Sequence, residues 1–588
     1  MSLVLGLSNG GHDSSAAVFR DGKLVAAISE ERLSRMKCQG GDIPQLAIDA
    51  VLAEAGATRR DVTDIGLMCG YYPEEYFRRL SRKTEAWRKF VRFRRRIRLK
   101  ATERIWTGHI LREARAANIA YADCFRTELF LRKEGFSPTA RVSHHPHHPV
   151  HALLAGYYSG FGRCLVLTLD GCGDLGDVHT SSIYEKGSLE ELVVTDGVGK
   201  SAGLFYQIIT ELLGFRPTRH EGKVLGLAAF GDPQPLLPSF RKALRLAPCG
   251  TRFDSDFVDP KTSERDRRAF LAEVIRGHSR ENIAAAAQQA LEDAAVSLTR
   301  NMVVQTGLAD VALNGGVAAN VKLNQRIAAL PEVDKISVFP AMSDTGNSVG
   351  AALFALEAVQ PGFLAATQHT LRDVYLGPEA TDEEIEKELA LNQLRFEKLD
   401  TDALVKRTAQ AIHDGFVVGW FQGRMEFGPR ALGNRSMVAR PTDAEINKSL
   451  NDRLERTEFM PFAPSVLAEN AEELFLNVAK AAHPAEFMTV TFDVREEWKQ
   501  RIPAVVHVDG TARPQLVRAD RNPIYHALIK RYYELSGIPL VLNTSFNVHE
   551  EPIVCGPAEA VRALSEDRID ALAIGPYWVP NPLRMPAG

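Results

Sequence analysis

Residues 3–29 read LVLGLSNGGHDSSAAVFRDGKLVAAIS. Val4 to Ser8 is a short apolar run that reads as a strand. Ala16 to Phe19 is a second strand, Asp21-Gly22 is a hairpin turn signal, and Lys23 to Ser29 is the return strand. Gly11-His12-Asp13 falls just after the first strand. An unperturbed imidazole titrates near neutrality, so His12 is the candidate base that deprotonates a hydroxyl. The competing reading is a histidine that merely fills a turn.

Pro44 to Gly56 then has helical apolar spacing, and the first segment alternates strands with helices, an α/β pattern. A strand–turn–strand opening of this kind resembles each half of the actin, sugar-kinase and heat-shock ATPase superfamily. That resemblance implies a duplicated unit. Cys164 to Leu169, Gly171 and the strand Ser182 to Tyr184 fit the second copy. Helical sequence ends near Leu356-Glu357-Ala358 and Pro361-Gly362 breaks the chain, so residues 1–362 are expected to form one domain and 363–588 another. In the second, Asp373 to Gly377 reads as a strand and Ala380 to Leu391 as an acidic amphipathic helix. Phe416 to Trp420, Pro539 to Leu542 and Ala571 to Ile574 read as further strands.

The 588 residues are 45% apolar and 25% charged, with net charge −3, which gives no global attraction to nucleic acid or membrane. Seven cysteines without a C-x-x-C pair read as buried free thiols in a reducing compartment. MSLVLGLSNGG has neither a basic leader nor a cleavable apolar core, and no apolar run is long enough to span a bilayer. A cytoplasmic enzyme is expected. One anomaly is Arg78 to Lys100, with twelve basic residues and one acid, Glu85. Trp87, Phe90 and Phe93 interleave with the cations. A surface helix with its aromatic face packed and its arginines wet is preferred over a nucleic-acid or lipid-binding helix, and a rim attracting an anionic substrate is a third reading.

Phe421 to Pro441 reads FQGRMEFGPRALGNRSMVARP, with Arg424, Arg430 and Arg435 set among glycines after a strand. Guanidinium forks match phosphate and carboxylate oxygens two at a time, and glycines let backbone N–H groups come close, so this is a candidate anion pocket. Residues 143–151, SHHPHHPVH, hold five histidines. His147 and His151 are four apart, the spacing of a metal-ligand pair on one helix face. Pro149 fits a first helical turn, which would leave His147 just before the helix. LVLTLDGCGD runs from a buried strand into Asp170, Gly171, Gly173 and Asp174, a turn suited to phosphate or to a metal-bound phosphate or water. Gly315 and Gly316 lead from another strand toward Asn320, and Lys223 of Glu221-Gly222-Lys223 could reach a phosphate. Arg513, in HVDGTARPQ, adds another guanidinium fork, and Asn543 and Ser545, in LNTSFN, follow a buried strand and offer both donors and acceptors.

These motifs, with GHDSSAAV, SEERLSR, EGKVLGLAAFG, SDTGNSVGAA and MPFAPSV, occur in the same order in the O-carbamoyltransferases of natural-product biosynthesis. Those enzymes make tobramycin, cephamycin, ansamycin and nodulation-factor carbamates. The chain resembles them from Gly11 to Asn547. The resemblance implies that His147, His151 and a matched Asp344 hold a divalent metal, iron(II) in relatives; the ligand types alone equally allow zinc or manganese. It implies ATP at the Asp170 and Gly315–Asn320 turns, with Mg an option beside it. It implies carbamoyl phosphate in a YrdC-like α/β second domain, at Arg424, Arg430, Arg435, Arg456, Arg513, Asn543 and Ser545. The family's basic stretch keeps Arg456 here but has Leu454, Thr457 and Met460 where the lysine, glutamate and second arginine stand. Carbamoyl adenylate formed there would pass to the metal site, where a small-molecule hydroxyl, an antibiotic or other secondary metabolite, attacks it. Alternatives are a small-molecule kinase or ATPase of the same first-domain fold, and a tRNA-modification or other nucleic-acid-binding protein.

Overall fold

The computed structural model describes residues 2–78, 110, 113–114, 117–174, 176–259, 261–455 and 461–584. Most of the basic segment 78–100, and Arg456, lie outside the described residues.

The opening forms the expected hairpin: β1 (Leu3–Asn9), β2 (Ser14–Arg20) and β3 (Lys23–Ser29) are antiparallel neighbours. Asp21 and Gly22 both have positive φ, 48° and 77°, the conformation that lets a two-residue turn follow the twist of its strands. A short helix, α1 (Glu30–Ser34), and α2 (Gln45–Glu54) follow. The parallel strands β4 (Asp64–Met68) and β5 (Arg141–His145) complete a sheet of order β3-β2-β1-β4-β5.

The second copy repeats this order. After α3 (His147–Tyr158), strands β6 (Arg163–Leu169), β7 (Asp177–Glu185) and β8 (Ser188–Asp196) form the antiparallel part. Lys186 and Gly187 make the same kind of turn, with φ of 46° and 83°. Helix α4 (Glu221–Ala228) follows, and β9 (Asp310–Asn314) and β10 (Lys335–Val338) add the parallel part, giving β10-β9-β6-β7-β8. The duplicated α/β fold is thus visible in topology, although the two halves share no obvious sequence repeat.

Helix α3 packs on the second sheet and α5 (Asn347–Val359) on the first, and the two helices pack on each other. The contact of α5 with its sheet is made backbone to backbone. A Cβ on Gly6 would lie 1.9 Å from the Ser348 carbonyl oxygen, and one on the register partner Gly66 would lie 2.1 Å from that of Ala351. This flush fit seats the first turn of α5, just past Asp344, against the middle of the sheet.

The remaining chain builds an eight-stranded mixed sheet. Its strands are β11 (Glu397–Lys398), β12 (Val418–Phe421), β13 (Arg435–Ala439), β14 (Ala463–Leu467), β15 (Gln515–Val517), β16 (Leu540–Ser545), β17 (Ala571–Ile574) and β18 (Tyr577–Pro580). Their order is β11-β18-β17-β12-β13-β16-β14-β15. Trp420 and Trp578 are fully buried in it. Asp382–Leu391 is helical, as the acidic pattern predicts. Asp373 to Gly377 is not a strand, in contrast to the sequence expectation. It makes one bridge, Tyr375 to Glu426, because its backbone groups serve two partners: the Leu376 carbonyl accepts from Ala27 N–H, and Gly377 N–H donates to Met425. The cysteines form no disulfide, but only Cys69, Cys124 and Cys164 are buried, and Cys249 is exposed. No helix of the described residues is long and apolar enough to cross a membrane.

Candidate active site

A cavity of about 580 Å³ lies where the duplicated unit meets the eight-stranded domain. Its wall carries His12, His147, Asp170, Gly171, Asp174, Lys223, Gly316, Asn320 and Asp344 from the first part of the chain, and Arg430, Arg513, Asn543 and Ser545 from the second. Thirteen of the residues singled out in the sequence therefore face one space.

One end of the cavity is a cluster of buried ligand-type groups. Pro146 caps α3, so His147 opens the helix instead of preceding it, and His151 follows one turn later on the same face. Asp170 stands at the carboxyl end of β6, and Asp344 opens a short turn after β10. His147 Nε2 lies 3.0 Å from Asp170 Oδ2, 3.2 Å from Asp344 Oδ1 and 3.2 Å from His151 Nε2. All four ligand atoms fall within 4.8 Å of one another. His151 is fully buried and sits behind the cavity wall, with its Nε2 also within 2.9 Å of Asn347 Nδ2. Two carboxylates and two imidazoles converging at the end of the cavity fit a divalent cation, which balances the carboxylate charge. Burial opposes protonation of His147, but Asp344 and Asp170 outweigh it and hold its pKa well above the usual value. A divalent cation bound there would compete with that proton.

The sequence pattern places Asp170 in a phosphate turn, and the structure brings it into this cluster as well. A carboxylate ending a buried strand is the only signal the sequence carried. Asp170 Oδ1 also accepts from Gly316 N–H at 3.0 Å, joining the two glycine turns. Gly173 and Gly315 do not line the cavity. Gly173 is needed because a Cβ would meet His148 at 2.8 Å, and Gly315 because it has φ of 91° beside the Leu169 carbonyl. Asp174 caps α3 by accepting from His147 N–H at 3.1 Å, and burial raises its pKa to about 6.

His12 exposes about a third of its side chain to the cavity and lies 3.2 Å from Asp13. Burial disfavours its charge, yet Asp13, Asp344 and Asp170 together push its pKa up to about 9. The expected base is thus protonated at neutral pH while those carboxylates are uncompensated. A cation held by Asp170 and Asp344 cancels two of the three.

The arginine-rich stretch divides. Arg430 reaches the cavity wall, whereas Arg424 and Arg435 do not. Arg435 is fully buried, stacks 3.6 Å over Phe421, and donates to the carbonyls of Gln422, Gly423, Asn434, Cys555 and Pro378. Arg424 donates to Gly377 and Leu376. The donors of Arg435 are all turned to carbonyls and leave none for an anion, whereas Arg424 adds an ion pair with Glu54 at 3.7 Å, so both are occupied within the fold and build the loop that presents the third. Glu426 closes that loop, its Oε1 accepting from the N–H groups of Leu432, Asn434 and Arg435. Asn543 donates to Ser465, Gln515 and Ala431, while its Oδ1 is buried without a hydrogen-bond partner among the described residues. That oxygen is an acceptor suited to an amino group.

Residues 3–353 match the family described as Carbamoyltransferase N-terminus, and residues 409–581 match Carbamoyltransferase C-terminus. Nodulation protein NolNO of Sinorhizobium fredii is 33% identical over 97% of this chain and 79% of its own length. The 3'-hydroxymethylcephem-O-carbamoyltransferase of Streptomyces clavuligerus is 29% identical over 61% of this chain and 64% of its own. Among solved structures, component A of (R)-2-hydroxyglutaryl-CoA dehydratase from Acidaminococcus fermentans aligns with 62% of this chain and 100% of its own. Its identity is 15% and its TM-score 0.33.

Proposed function

The chain belongs to the carbamoyltransferase family and is an enzyme of that class, and from this premise we propose that it carbamoylates a hydroxyl of a small molecule, with carbamoyl phosphate as donor and ATP as activator. The observation that carries the reading is the single cavity bordered by an anion-recognising wall at one end and the four-ligand cluster at the other. The relative named as acting on a 3'-hydroxymethylcephem supports a hydroxyl acceptor.

At the first end, Arg430 and Arg513 hold the phosphate oxygens of carbamoyl phosphate and ATP, and Asn543 Oδ1 accepts from the carbamoyl amino group. Carbamoyl phosphate gives up its phosphate to water. A carbamate oxygen then attacks the α-phosphorus of ATP, and pyrophosphate leaves, giving carbamoyl adenylate. At the second end, the acceptor oxygen attacks the carbamoyl carbon and AMP departs with the electron pair of the broken bond. Lys223, Gly316 and Asn320 orient the phosphate and nucleoside parts. His12, neutral once its carboxylate neighbours are compensated, takes the hydroxyl proton. A divalent metal on His147, His151, Asp170 and Asp344, iron(II) by family resemblance, would supply Lewis acidity beside the reacting carbonyl. Residues 363–588, expected to be YrdC-like, would form the adenylate, and residues 1–362 would transfer it.

The test is a panel of hydroxylated compounds incubated with protein, carbamoyl phosphate and ATP, read by mass for carbamate addition. Pyrophosphate release that needs carbamoyl phosphate is expected. ATP cleavage to ADP, or carbamate formed without ATP, would overturn the reading.

A further inference from the structure

The SEERLSR segment lies in α1 and none of its charged residues is used above. Each has a definite partner. Glu30 caps α2, its carboxylate accepting from Leu46 N–H at 3.2 Å and Ala47 N–H at 2.7 Å. Glu31 accepts from Cys38 N–H at 2.7 Å. Anchored in this way on its own domain, α1 turns its two arginines toward the other. Arg32, 4% exposed, donates to the Gly428 carbonyl at 2.8 Å, two residues before Arg430. Arg35 ends the helix with φ of 61° and donates to the carbonyls of Ile553 at 2.8 Å and Pro552 at 2.7 Å, on the loop that follows Asn543 and Ser545.

The same loop is held from a second direction. Glu550, with φ of 64°, accepts from Arg216 at 2.6 Å, Arg219 at 3.2 Å and His220 Nε2 at 2.7 Å. His220, His549 and Glu550 have the composition of a metal site, but Arg216 N–H donates to His220 Nδ1. The ring proton therefore sits on Nε2 and goes to Glu550, so this cluster is a hydrogen-bonded lock.

We propose that Arg32 and Arg35 are positioning residues that clasp the two substrate loops of the second domain onto the rim of the shared cavity, so that the activated intermediate is retained between the half-reactions. The clasp rests on the adenylate reading above. When it opens, water attacks the carbamoyl carbon, AMP leaves, and the carbamic acid formed breaks down to ammonia and carbon dioxide.

The experiment uses the full chain with carbamoyl phosphate and ATP and no acceptor. Wild type is expected to release pyrophosphate in one burst and then stall. Arg35→Gln, at a half-buried position, is expected to release pyrophosphate and AMP continuously, about tenfold faster in steady state, the worth of one charge-assisted hydrogen bond. Arg35→Lys, which keeps the charge but not the fork, should fall between them. A variant that stalls like wild type overturns the proposal, as does one that loses its burst together with its thermal stability. Hydrogen exchange judges the clasp independently of the chemistry. Residues 428–434 and 547–555 should exchange faster in Arg35→Gln and Arg32→Gln, and unchanged exchange overturns it. If wild type releases no pyrophosphate, the adenylate reading has failed, and the exchange result still decides whether the clasp exists.

Discussion

Arg430 and Arg435 stand five positions apart in one motif and do opposite work. Arg430→Ala is expected to abolish pyrophosphate release while leaving the fold intact, because a bound dianion loses a bidentate partner at a cost of about 2–5 kcal/mol. Its circular dichroism should match wild type, and a variant that turns over normally would remove Arg430 from the anion site. The metal cluster gives a second residue-scale prediction. Asp170→Asn and His151→Ala should each lose metal by elemental analysis while keeping their thermal transition, since either change breaks the four-ligand set. Full metal content in both would contradict the assignment. The sequence marked arginine as the relevant residue type but could not rank the three arginines. That ranking depends on which carbonyls the folded loop turns inward, a tertiary fact with no local pattern. The i, i+4 histidine pair was legible because helix periodicity alone puts both rings on one face, whereas Asp170 joins them only through the packing of β6 against α3.

Hairpins and amphipathic helices were the readable elements, since Asp21-Gly22 and the acidic pattern of Asp382–Leu391 carry their own instructions. The linking segment Asp373 to Gly377 was not readable, for its alternating pattern is that of a strand while its backbone partners belong to two different domains. The loop between β12 and β13 is an intermediate case. Its glycines announce a turn, but the closure by Glu426 becomes evident only when three N–H groups are seen to point at one oxygen. Glu426→Ala should therefore cost about 3 kcal/mol in urea denaturation, as buried donors lose their acceptor, and should weaken carbamoyl phosphate dependence with it. A change below about 0.5 kcal/mol, the scale of an ordinary surface substitution, would show that water replaces the carboxylate.

For the whole molecule, a duplicated α/β unit is expected from one hairpin by resemblance, and the strand order 3-2-1-4-5 found in both halves agrees with it, whereas the shared cavity is not legible, because no local pattern reports how two domains face each other. The seam between them is expected to weaken in acid. Burial would raise the pKa of Glu550, but His220, Lys37 and Arg216 outweigh it and lower it from 4.5 to about 2. A depressed carboxyl stabilises above its unfolded pKa and loses that contribution as pH falls through the folded one. The stability gap between wild type and Glu550→Gln should thus be constant above about pH 5 and close between about pH 4.5 and 2, followed by thermal denaturation. A gap that does not change with pH would contradict this. The flush seating of α5 on Gly6 and Gly66 bears on how the chain tolerates change. In a saturation scan scored by carbamate formation, these two positions should be as intolerant as His147 and Asp344, though neither meets a substrate, since any added carbon displaces the helix that begins just after Asp344. Scoring the same library for soluble yield separates the two classes. Ligand substitutions should vanish from that map while the glycines remain on it, so a map of activity alone would draw an active site larger than the chemistry.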